Sequence, residues 1–73
     1  MGIMILIDKV RNELDNITIK QKRLKDALEY LKTLFIPKET EIKLNNIIIQ
    51  KLEELKFYED ELKRDLGVMI YNG

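Results

Sequence analysis

The chain has no cysteine, histidine, tryptophan or serine. Those absences remove disulfides, zinc sites built on Cys or His, and every nucleophile–histidine arrangement used in acyl transfer. Charge of one sign is also missing. Thirteen Lys and Arg offset thirteen Asp and Glu, so no global field steers the chain toward nucleic acid or an anionic membrane, and any such contact has to be local. The apolar run near the start, Ile3 to Ile7, is far shorter than the roughly 20 residues that span a bilayer and shorter than the apolar core of a signal peptide. Gly2 does not make a myristoylation signal, because Leu6 stands where that signal needs Ser or Thr. A secreted domain this small more often carries disulfide staples, so the expectation is a cytoplasmic, intracellular protein. No catalytic residue, cofactor or metal is expected, and the chain is read as a non-enzyme.

Breakers are scarce as well. The single proline, Pro37, lies near the midpoint of the 73 residues, and the glycines are Gly2, Gly67 and Gly73. This pattern predicts two long helices joined by one turn. With hydrophobic residues at 45% and charged ones at 36%, the composition suits long helices and is too apolar for a disordered tail.

In the first half, Ile3, Ile7, Val10, Leu14, Ile17, Gln21, Leu24, Leu28, Leu31 and Phe35 recur in alternating steps of four and three. All but Gln21 are apolar, which keeps one face apolar over more than four heptads, as coiled-coil-like packing requires. Ile3 to Ile7 is rich in β-branched residues and has a short strand as its alternative, but Ile3 and Ile7 keep the helical register of the stripe from Val10 onward. In the second half Pro37 suits a helix start, and Glu39 and Glu41 lie where the helix dipole favours negative charge. Its stripe runs Asn45, Ile48, Leu52, Leu55, Glu59, Leu62, Leu66 and Met69, widened by Ile42, Leu44, Ile49 and Tyr58. Gly67 is placed as a C-terminal cap. The expected layout is therefore helix 1 over about 3–34, a turn at about 35–38, helix 2 over about 39–66 and an apolar tail at 67–73, helix or strand. A short turn makes the helices antiparallel, so residues whose numbers sum to about 72 are level.

One seam between two helices buries too little to offset the ordering of the whole chain. The expected fold is all-α: an antiparallel hairpin that self-associates into a four-helix bundle, with a dimer as the simplest closed form. The oligomer core is expected from Ile7, Val10, Leu14, Ile17, Leu24, Leu28, Leu31, Ile48, Leu52, Leu55, Leu62 and Leu66. Gln21, Asn45 and Glu59 are polar residues at core positions, where they cost stability and set register or oligomer state. Arg11 is the expected cross-helix partner of Glu59, with Lys63 on its own helix as another.

Three clusters bear on function. The acids Glu53, Glu54, Glu59, Asp60, Glu61 and Asp65 lack the histidines of a di-iron bundle and read as a solvated face. Lys20, Lys22, Arg23 and Lys25 are the densest basic group and the candidate contact for an anion or nucleic acid, with Lys51 and Lys56 near the same level. Ile19, Tyr30, Ile47 and Phe57 fall off the stripes and are the candidate partner surface.

The outline of a short hairpin with heptad-spaced apolar residues resembles the plasmid-encoded Rop family, whose dimers bind paired RNA loops. The likeness is one of shape along the whole chain and carries no residue motif, so no functional residue is transferred from it. The leading expectation is a homo-oligomeric protein-interaction module, such as a small adaptor, inhibitor or assembly factor. Its Ile, Lys and Asn usage fits an AT-rich genome and suggests a viral, phage or plasmid origin. The alternatives are a Rop-like RNA- or DNA-binding regulator and sequestration of a small anionic ligand, such as a nucleotide, at a subunit interface with Tyr30 or Tyr58 stacking beside the lysines.

Overall fold

The computed structural model describes residues 2–72, without the side chains of Ile3 and Asn72. The expectations for Ile3 as a stripe residue and for Gly73 lie outside the described residues. Helix α1 runs Gly2–Leu31 and helix α2 runs Lys38–Asn72. Thirty and 35 residues at 1.5 Å per residue give rods of about 45 and 52 Å. The whole hairpin measures 54 × 15 × 13 Å, so the rods lie side by side along their full length.

The stripe spacing accounts for this packing. Along α2 every stripe residue from Asn45 to Met69 is half-buried, and along α1 so are Ile7, Val10, Leu14, Gln21, Leu24 and Leu28. Only Ile17, at 1% exposure, and Leu31, at 7%, are fully buried hydrophobic residues among those described. Two rods touch along a line, so the other seam side chains are covered from one side and left open at their flanks.

Helix α1 ends three residues earlier than its expected boundary near Leu34. The N–H groups of Lys32, Thr33 and Leu34 donate to the carbonyls of Glu29, Tyr30 and Leu31 at 3.2, 3.0 and 3.2 Å, the tightened i→i+3 pattern that closes a helix. Thr33 Oγ1 adds a bond to the Tyr30 carbonyl at 2.7 Å. Pro37 disfavours helical geometry at Ile36, which forces the chain to leave the helix upstream. Phe35 is therefore not the last stripe residue. It stands fully exposed, and half-buried Ile36 lies inside the turn instead. The Pro37 carbonyl then accepts from Glu41 N–H at 3.0 Å, the first bond of α2, with Glu39 and Glu41 in the positive first turn.

Gly67 does not cap α2. The helix runs through it to Asn72, and no glycine among the described residues has a positive φ. A helical glycine costs about 1 kcal/mol relative to alanine. Continuing the helix keeps Met69 half-buried in register with Leu66, alongside the start of α1. Residues 68–71 and 4–7 are accordingly helical, and the strand alternative for both ends is excluded.

Candidate functional site

The hairpin has two broad faces, one on each side of the seam, and the helical repeat decides which side chains flank them. On one face Lys20, Arg23 and Leu24 of α1 and Lys51, Glu54, Leu55 and Tyr58 of α2 line a shared groove. The seven-residue register adds Leu6, Glu13 and Ala27 of α1 and Leu44 and Asp65 of α2 to the same side. This is the Tyr58 face. On the other face Lys25 and Gln21 meet Ile49, Lys56 and Phe57 in one groove, and Lys25, Leu28 and Lys32 meet Asn45 and Ile49 in the next. The register extends this Phe57 face with Met4, Arg11, Ile42, Lys63 and Ile70.

The basic cluster expected from residues 20–25 is thus divided. Lys20 and Arg23 open on the Tyr58 face, where Lys51 joins them from the other helix. Lys25 opens on the Phe57 face, and Lys22 is exposed on the outer side of α1. A helix turns by roughly 100° per residue, so four cations within six positions cannot share one side.

The off-stripe apolar residues divide in the same way. Ile19, Tyr30, Ile47 and Phe57 are all half or more exposed, from 50% at Ile19 to 68% at Phe57. Phe57 lines the groove beside Lys25 and Ile49, whereas Tyr30 and Ile47 rim the Tyr58 face near the turn by register and Ile19 points outward from α1. They do not form one continuous partner surface.

Glu59 is paired within its own helix. Its carboxylate lies 3.6 Å from both Lys56 Nζ and Lys63 Nζ, with its side chain 12% exposed. Lys56 also reaches Asp60 at 3.4 Å. Arg11 is not its partner. Helical i,i+3 and i,i+4 spacing places the two lysines on either side of it, and neither has to cross the seam. Asp60 first, then Glu59, holds the Lys56 ammonium above its ordinary range. These lysines are more than half exposed, so the ion pairs add little stability. The stripe pattern does not single out Glu13, yet it is half-buried at the edge of the Tyr58 face. Its position seven residues from both Leu6 and Lys20 is the signal that places it there.

Among the described residues no set of three or more acids is arranged to hold a metal, and no helix is long and apolar enough to cross a membrane. Comparison with protein-family models, curated proteins and solved structures finds no match. The functional reading therefore rests on this chain's own residues.

Proposed function

We propose that the chain is a non-enzymatic, self-associating helical interaction module. Two hairpins would close a four-helix bundle whose outer surface engages another protein, as a small intracellular adaptor, inhibitor or assembly factor. The observation that carries this reading is the surface left open. The hairpin exposes 6090 Å², whereas a compact monomer of 8.7 kDa exposes about 4,700 Å². Its radius of gyration is 16.7 Å, against about 11 Å for a compact chain of this length. The excess is rich in Ile, Leu, Tyr and Phe, side chains that self-association would remove from water. Light scattering across a dilution series tests the proposal. It predicts twice the chain mass at micromolar concentration, and a stably folded monomer would overturn it.

A second reading is a Rop-like nucleic-acid regulator. It is favoured by Lys20, Arg23 and Lys51 around one groove with Tyr58 beside them, a set suited to phosphate contact and base stacking. Salt-dependent retention on RNA or DNA that is lost in Lys20→Glu/Arg23→Glu would support it. Thermal stabilisation by free nucleotides would show that the same groove takes the smaller ligand.

A further inference from the structure

We infer that the Tyr58 face is where a second copy of this chain docks, and that the two hairpins pack with their turns at opposite ends. The inference rests on the self-association proposed above and adds its face and direction. Area, pairing and charge each bear on it.

The hairpin's two larger dimensions, 54 and 15 Å, outline a face of about 800 Å² per copy, the size of a standard protein interface. The two faces differ in how their charges are satisfied. On the Phe57 face Lys56 and Lys63 are tied to Glu59, and Lys32 to Glu29 at 3.5 Å. The positions flanking the seam there are otherwise cationic, Arg11 and Lys25, and the carboxylates Asp26, Glu29, Glu53 and Asp60 line the grooves of that face farther from the seam. A second copy laid on that face would meet a seam edge whose flanking rows carry only cations. On the Tyr58 face the charges in the rows flanking the seam are Lys20 and Lys51 together with Glu13 and Asp65, with Arg23 and Glu54 in the same groove farther from the seam. Among the described residues these form no ion pair within the hairpin. The seam-flanking rows of that face hold both signs and lack internal partners.

Direction follows from level. Lys20 and Lys51 lie at the same height, because their numbers sum to about 72. If the turns met at one end, each α1 would face the partner's α2 at equal height. Four lysines would then gather at one level, where like charges placed directly opposite are destabilising. If the turns lie at opposite ends, with the two-fold axis at the level of Ile17 and Leu55, each α1 faces the partner's α1 running the other way. Lys20, three residues to one side of Ile17, then meets the partner subunit's Glu13, four residues to the other side. By the same symmetry Lys51 meets the partner subunit's Tyr58. Each ion pair occurs twice, once on either side of the axis.

The chain has no cysteine, so single reporter cysteines are unambiguous. A nitroxide on Lys38→Cys, at the turn, should lie roughly 50 Å from its symmetry mate if the turns are apart and within about 25 Å if they meet, from the helical rise. Charge reversal tests the face. Glu13→Lys and Lys20→Glu should each weaken the dimer at least tenfold, and combining them should restore it to within about threefold. Lys25→Glu on the Phe57 face should leave dimer affinity unchanged. A folded monomer would overturn the self-association itself. A dimer with short label distances would keep self-association and overturn the direction. A dimer with long distances but no response at Glu13 and Lys20 would overturn the face, as would one weakened only by Lys25→Glu. A wild-type mass left unchanged by Lys20→Glu, with nucleic-acid retention abolished, would assign the face to nucleic acid instead.

Discussion

Ile17 and Ile19 are the same residue two positions apart on one helix, one at 1% exposure and the other at 50%. Replacing each by alanine isolates the contribution of burial, because both substitutions gain the same few tenths of a kcal/mol in helix propensity. Truncating a fully buried isoleucine typically costs 2–5 kcal/mol. Here the seam is one side chain thick and the stripe residues around Ile17 are only half-buried, so neighbours and water can relax into the space. The expected loss for Ile17→Ala is then near the lower end, about 2 kcal/mol after the propensity gain. Ile19→Ala should change stability by less than about 0.5 kcal/mol. For a domain of this size about 2 kcal/mol corresponds to a fall in Tm of roughly 10 °C. Both variants would be melted by circular dichroism at matched chain concentration, because self-association makes Tm depend on concentration. Equal losses at the two positions, or the larger loss at Ile19, would refute the seam register from which both faces are derived.

Other perturbations probe separate features. Gly67→Ala should raise stability by about 0.5–1 kcal/mol, because the position is helical and a Cβ there meets nothing within 4 Å; a loss in thermal unfolding would mean that the helix does not pass through it. Glu59→Leu should raise Tm, since exchanging a mostly buried charge and its two exposed lysine partners for apolar contact is commonly neutral to stabilising by about 1–4 kcal/mol. The same variant should broaden the distribution of oligomers seen by native mass spectrometry, and a fall in Tm would show that the ion pairs outweigh the burial. The contribution of Lys56 has a definite pH sign. Its ammonium is held above the ordinary value of 10.5 by Asp60 and Glu59, so its stabilisation is complete below that pH and lost as pH rises through the raised pKa. In Lys56→Met that alkaline component of the melting curve should be absent. Salt should weaken it in the wild type.

Much of the fold is legible residue by residue. The spacing of Ile7, Val10, Leu14 and Ile17, and of Ile48, Leu52, Leu55 and Leu62, marks the buried sides of both helices because side-chain direction in an α-helix is set by local geometry. Gln21, Asn45 and Glu59 interrupt those stripes and still lie half-buried within them. Helix ends are less legible, because they are decided by competition. Leu34 is lost to the turn that Pro37 imposes, and Gly67 is kept in the helix because Met69 continues the seam beyond it.

Sequence alone thus determined two amphipathic rods, their antiparallel hairpin and the register of the contact between them, since all three follow from the 3.6-residue repeat and one breaker. Only the tertiary structure decided which charges share a surface. Lys20, Arg23 and Lys51 come together with Tyr58, Lys25 is sent to the opposite side, and Glu59 is held by Lys56 and Lys63 in place of Arg11. The physical reason is that a cluster in the chain is spread around a helix by its rotation. A patch forms only where two helices bring distant positions to the same side and the same height.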